Sequence, residues 1–355
     1  MSWIGLRDAQ TSWFRPERAV AGCAGGGLTR GALVLETRLS ETTRPQTLLA
    51  VSRAGLYPGR FSVQALPRGG IVLVDARGED VRHATVPFIS DGRLDVLRLT
   101  YAWDCAQQTA RLTLERPETD LVQSVFLDNP LPLPIDAIEA AIYQTRDTVI
   151  DESVVFLSFS NALQPVGPMP ALTAKVPVET AQGVRLASDL ARGDLVRTDT
   201  GALVPVLQVV KRTVPARGGF RPVRLRAPFF GLSRDIVVAP HARLIMSGSQ
   251  VEYMFGREAV LVPAAHLVNE RSAFRARGPD LVTYYHVLLA GHEAIMSGAC
   301  PLESLYVGRL RRKPDALAAS VLARFDRARL PEHAKPVHPV LKPFEAVTLA
   351  LTRAA

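Results

Sequence analysis

Alternating apolar and polar positions divide the chain into short runs rather than long periodic ones. ALVLETRL (32–39), TLLAVSRAG (47–55), RFSVQALP (60–67), GIVLVDARG (70–78) and VRHATVPF (81–88) follow one another, with turn residues between them. LDVLRLTYAWD (94–104), TARLTLERP (109–117) and LVQSVFLD (121–128) continue the series. Runs of this length at roughly ten-residue spacing predict an antiparallel sandwich or barrel. The clearest piece is LRLTYAWDCAQQTARLTLE. Leu97, Leu99 and Tyr101 alternate with Arg98 and Thr100, and Leu112 and Leu114 alternate with Arg111, Thr113 and Glu115. Period two on both sides of a polar loop, Asp104 to Thr109, predicts a hairpin with one buried face.

The texture changes at DNPLPLPIDAIEAAI (128–142), where Ile135, Ile138 and Ile142 fall on roughly one face of a short helix. ESVVFLSFSNALQPVGPMP (152–170) supplies one more strand and then a Pro/Gly linker, so a domain boundary is expected near 160–170. Short strands resume with VPVLQVVKRTV (204–214), PVRLRAP (222–228), DIVVAP (235–240), ARLIM (242–246) and AVLVPAAHL (259–267). In KPDALAASVLARFDRA (313–328), Leu317, Val321, Leu322 and Phe325 lie at helical spacing, with Pro314 near the first turn. A proline-spaced extended segment, 333–351, then leads into a short final helix. The pattern predicts an all-β chain without tandem repeats. Residues 1–30 form an irregular arm ending in the glycine patch AGCAGGGLTRG (21–31), 31–165 a β-sandwich, 171–310 a second all-β domain, and 311–355 a helical tail packed on it. The hairpin stretch resembles the concanavalin-like sandwiches, which often bind sugars.

Composition narrows the function classes. The chain has 355 residues, 47% of them hydrophobic, enough for two packed cores. A net charge of +8 favours anionic partners. The arginines are spread along the chain, however, and the one tight run, Arg309-Leu310-Arg311-Arg312-Lys313, lacks the interleaved aromatics of a single-strand binder, which argues against nucleic acid. Cys23, Cys105 and Cys300 are too few and too distant for a disulfide framework, and no CxxC offers a zinc site. No cofactor or metal is implied. The N-terminus has no leader-like apolar stretch, and no window approaches the ~18 apolar residues of a membrane span. A cytoplasmic location is therefore expected, with export by a route needing no cleaved leader left open.

From Ala171 to about Gly308 four local patterns occur in order. They are VPVETAQGVRLASDLARGDLV with its Gly193-Asp194-Leu195-Val196 turn, RDIVVAPHARLIM, VLVPAAHLVNERS and VTYYHVLLAGHEAIMSGACPLES. Together they resemble the Hint (Hedgehog/intein-type) domains common in bacteria of the rhodobacter type. The resemblance implies an all-β Hint fold and a self-processing chemistry. In that chemistry a first-position cysteine attacks the preceding carbonyl, and a histidine protonates the departing amide nitrogen.

This sequence departs from that pattern. The nucleophile position falls on Ala171, whose side chain has no lone pair to offer. Where the family reads Pro-x-His-Arg, the chain reads Pro240-His241-Ala242-Arg243. On a strand, a shift of one position turns a side chain to the opposite face, so His241 is expected to face away unless the backbone bulges there. No Asn-Cys, Asn-Ser or Asn-Thr junction closes the domain.

His241, His286 and His292 are the candidate catalytic residues left. HEAIM (292–296) lacks the second histidine of a zinc motif, Asp194 reads as a turn aspartate, Cys300 as an idle thiol and Trp103 as a core residue at a hairpin end. The expectation is a Hint-domain protein whose autoprocessing is lost and which acts as a binding or scaffold protein, its sandwich taking a glycan or protein ligand. The alternative is an active protein that cuts itself near Pro170–Ala171. A hydrolase acting through a histidine site lacks a triad to support it.

Overall fold

Backbone amides here find their partners mainly across strands, many of them far apart in sequence. The computed structural model describes residues 2–354 except 21, 22, 25, 40–43, 54–58, 68, 89–94, 118 and 120, so part of the glycine patch lies outside the described residues. The fold is all-β with a few short helices, as the pattern predicts. The chain divides into two units, Met1–Val166 and Gly167–Ala355.

Besides a small three-stranded sheet of Leu133–Pro134, Gly27–Leu28 and Cys23–Ala24, the first unit has two larger antiparallel sheets. One has seven strands in the order Leu121–Asp128, Thr109–Arg116, Asp95–Asp104, Arg30–Leu39, Val154–Ser160, Trp3–Asp8 and Ser12–Phe14. The other runs Thr148–Ile150, Gln46–Arg53, Gly59–Ala65, Ile71–Arg77 and Asp80–Val86. Leu33, Leu35, Leu97, Leu99, Tyr101 and Trp103 meet Leu49, Val51, Phe61, Val63 and Leu73 in one core. Trp103 is fully buried, and its indole N–H donates to the Leu28 carbonyl at 2.8 Å. The helix Ile135–Tyr143 buries Ala137, Ile138, Ala141 and Ile142 and ends on Gln144 in a left-handed conformation.

Two expectations change here. The described part of residues 1–30 is not an irregular arm. Trp3–Asp8 is a strand paired with Val154–Ser160, and Trp3, Ile4 and Leu6 are buried. Its partner lies some 150 residues away, so no local pattern announces the pairing. The hairpin forms as expected, with Arg98 opposite Glu115 and Asp104 opposite Thr109, but it has no solvent face. Arg98, Thr100 and Thr113 are buried as well, and Arg98 donates to the buried Glu36 carboxylate at 3.1 Å. An ion pair between neighbouring strands lets a polar face leave water without an isolated charge.

The second unit holds three sheets. Six strands run Gln208–Pro215, Leu281–Leu288, Leu172–Thr173, Ile236–Val238, Val223–Leu225 and Ala273–Arg275. Four run Gly183–Leu186, Pro177–Thr180, Leu195–Arg197 and Leu203–Pro205, and four more run Ala259–Pro263, Arg243–Ser247, Cys300–Glu303 and Ala294–Ser297. The tail joins this unit. Leu310, Leu317, Leu322 and Leu330 share a cluster with Val210, Leu288, Leu305 and Val307.

The expected helix over 313–328 is only one turn long, Pro314–Ala318. Ser320 breaks it. Its hydroxyl donates to the Leu317 carbonyl at 2.8 Å and accepts the Leu322 N–H at 3.0 Å, replacing the helical ladder with a local turn. The final helix, Pro343–Ala354, is present.

Candidate functional site

The start of the second unit is held on both sides. Leu172 pairs with Val238 on one flank and with Tyr285 on the other. The Ala171 carbonyl accepts the Ala239 N–H at 2.7 Å, and its methyl group is 2% exposed. Thr173, the nearest hydroxyl inside the domain, donates to the Val237 carbonyl at 2.6 Å. The segment is thus a two-residue strand wedged between longer ones, and Met169 and Pro170 lead into it.

His241 does not face away from this junction. It sits in a tight turn between Ile236–Val238 and Arg243–Ser247, closed by the Ala242 N–H on the Ala239 carbonyl at 3.0 Å. Pro240 occupies the second turn position, where its fixed φ favours the turn. The turn is pinned from outside, because the Pro240 and Ala242 carbonyls accept the N–H groups of Ala265 and Ala264, each at 2.8 Å. Strand alternation therefore does not govern position 241. The half-buried ring places Nε2 3.2 Å from the Met169 carbonyl oxygen. Ala242, the next residue, is buried.

His286 lies on the strand Leu281–Leu288 and is buried. Its Nε2 lies 2.8 Å from the Glu303 backbone carbonyl, and because a carbonyl only accepts, this nitrogen donates. Burial pushes the imidazole below its ordinary value, against the opposing pull of the Glu303 carbonyl, the Glu303 carboxylate and the Met169 backbone. His241 thus approaches the Met169 carbonyl from a turn, whereas His286 is tied from its strand to the Glu303 carbonyl.

Behind them lies a buried polar network. The Glu303 Oε1 atom is 3.2 Å from Arg243 NH1 and 3.2 Å from His292 Nε2. Burial alone would raise this carboxyl, but His292 and Arg243 outweigh it and hold the group below its ordinary value. The His292 Nδ1 atom accepts the Val337 N–H at 2.8 Å, so the neutral ring carries its proton on Nε2, toward Glu303. Tyr306 meets the His292 ring edge-on at 4.9 Å, and His333 lies 5.4 Å from it. His333 Nδ1 accepts the Val307 N–H at 3.3 Å. Burial, aided by His292, pushes His333 down to about 4. Among the described residues, no three His, Cys, Asp or Glu side chains are arranged to hold a metal ion.

Residues 170–309 match the family model described as the Hint domain. The second unit carries a Hint domain. No curated protein matches the chain in sequence. Among solved structures, the chain is similar to the CBM40 module of the Ruminococcus gnavus IT-sialidase bound to α2,3-sialyllactose, with 16% identity, 45% of this chain and 87% of that chain covered, and a TM-score of 0.30. A leech intramolecular trans-sialidase shows 14% identity, 62% and 34% coverage, and a TM-score of 0.30. The LG1–3 region of the laminin α2 chain shows 8% identity, 87% and 57% coverage, and a TM-score of 0.25.

The Hint domain brings together two of the three candidate histidines by sequence. His286 and His292 meet through Glu303, one at its carbonyl and one at its carboxylate. His241 places its Nε2 beside the junction, 3.2 Å from the Met169 carbonyl oxygen. Glu303, Arg243 and His333 were missed. Glu303 is a lone carboxylate in a buried strand, CPLE, and that placement was the available signal. Cys300 is buried, and its thiol is pushed up to about 12 by desolvation, so it supplies no thiolate. Asp194 accepts the Ala191 N–H at 2.8 Å and Arg185 NH1 at 2.7 Å, which makes it a turn residue.

Proposed function

We propose that this chain uses its Hint domain as architecture, with self-cleavage lost, and acts as a binding or scaffold protein. The observation that carries the reading is Ala171. At the position from which a cysteine would attack the preceding carbonyl, the side chain is a buried methyl group. Without a nucleophile no ester or thioester forms, and a general acid has no amine to release. The other groups that could attack are occupied or silent. The Thr173 hydroxyl is committed to the Val237 carbonyl, and the Cys300 thiol stays protonated near neutrality.

The sandwich would then be the ligand-binding half, for a glycan or a protein. Its edge strand Leu121–Asp128 supports a contact role, since Leu121, Val122 and Phe126 on it are exposed.

One observation favours the alternative of active self-cleavage near Pro170–Ala171, namely the approach of His241 to the Met169 carbonyl at 3.2 Å. Intact mass spectrometry of the full chain, tagged at both ends and treated with or without dithiothreitol or hydroxylamine, separates the two. A single species of full mass in every condition is expected. Fragments ending near Pro170 would overturn the reading and make His241→Ala the next variant.

A further inference from the structure

The positive charge of the chain is not spread evenly. Residues 309–329 hold seven basic side chains against two acidic ones, a net +5 out of +8 for the whole protein. The fold of the tail turns part of this stretch into a cleft. Breaking the helix at Ser320 brings Val321, Leu322, Arg324, Phe325, Asp326 and Arg329 around a cavity of about 260 Å³, closed on its other side by Arg192 and Gln208 from the body of the Hint domain. Val321 and Phe325 are partly buried against the tail cluster, so the apolar part of the lining is fixed in place.

The charges in the cleft are unequal in their commitments. Asp326 is neutralised locally. One oxygen accepts the Ala328 N–H at 2.9 Å and the other lies 3.6 Å from Arg329. Arg192 and Arg324 are exposed and have no acidic partner among the described residues. A guanidinium offers a planar fork of donors that fits a carboxylate. Two such forks beside an apolar floor call for a ligand with an anionic group next to an apolar body.

The volume is below that of a drug-sized pocket, which starts at roughly 300 Å³, and suits about one side chain and its neighbour. A nucleic-acid strand would need a series of exposed aromatic faces for its bases, whereas this cleft has one, partly buried. We propose that the cleft is a docking site for an acidic segment of a partner polypeptide. A carboxylate of that segment is held by Arg192 and Arg324, and an adjacent apolar side chain sits against Phe325 and Val321. This site is separate from the Ala171 junction, and its occupancy does not depend on whether the junction is chemically silent.

The test is a titration of the full chain with a fluorescent peptide alternating glutamate with leucine and phenylalanine, at low and high salt. The same peptide with glutamine for glutamate serves as control. Saturable binding of the acidic peptide alone is expected, weaker at high salt, and weakened at least ~10-fold in Arg192→Gln/Arg324→Gln. Both side chains are exposed, so the variant keeps its core, and each single variant is measured beside it. The absence of saturable binding, or equal binding by the variant, would overturn the proposal. So would equal competition by inorganic phosphate, which would mark a simple anion site. Tighter, arginine-dependent binding of oligothymidylate would overturn it in favour of nucleic acid.

Discussion

The proposed loss of self-cleavage rests on a single methyl group at the start of the Hint domain. Ala171 is buried with its carbonyl engaged by the Ala239 N–H, and its side chain carries no nucleophilic atom. His241 is a different case, because its sequence position alone suggested that it pointed elsewhere. Ala171→Cys tests both residues at once. The added sulfur enters a buried position, at a cost of about 1–3 kcal/mol. The variant is expected to become cleavable by hydroxylamine near residue 170, as read by intact mass. Adding His241→Ala should slow that cleavage at least ~10-fold, in line with the loss of a general acid. Equal rates in both variants would leave His241 as a structural contact only. Arg243 and Glu303 show why the rest of the site was hidden from a residue-by-residue reading. They are sixty positions apart in sequence and meet because Leu244 pairs with Leu302.

At the scale of elements, period-two alternation located the strands but not their neighbours. The hairpin 97–115 was legible because its partners are adjacent in sequence and its register follows from a short loop. The strand Trp3–Asp8 was not, since its pairing with Val154–Ser160 depends on the rest of the sandwich. Trp3 is 1% exposed, so Trp3→Ala is expected to destabilise the first unit by about 3–5 kcal/mol. Urea unfolding of the full chain, followed by tryptophan fluorescence and circular dichroism, measures it. A loss below about 0.5 kcal/mol would return residues 1–30 to the status of a loose arm. Two other misreadings have local causes. Position 241 reads as strand in the sequence pattern, but Pro240 and the Ala239–Ala242 hydrogen bond make it a turn. The tail helix was read through its apolar spacing, but the Ser320 hydroxyl captures the groups that would have extended it.

Considered whole, the molecule is expected to lose stability in acid through groups of the second unit, His333, His286 and Glu303. His333, held down to about 4, accepts a backbone N–H in its neutral form. Its ordinary value is 6.5. Between the two the unfolded chain binds a proton that the folded chain refuses, so stability falls as the pH drops through that interval and levels off below it. His286 is shifted in the same direction, and Glu303, held below its ordinary 4.5, adds a further loss at lower pH. Urea midpoints measured from neutrality down to pH about 4 are therefore expected to decline, and less steeply in His333→Gln. A flat profile, or the same slope in that variant, would show that the neutral His333 ring contributes nothing.

The sequence alone determined the all-β class and the presence of a Hint domain. It also settled the absence of a cysteine at position 171, since covalent composition and strand periodicity are local properties. Only the tertiary structure decided that His241 turns toward Met169, that Glu303 joins His286 to His292, and that Arg192 and Arg324 line one cleft. Each of those depends on which strands and turns become neighbours, and that follows from burying the whole apolar surface at once rather than from any single segment.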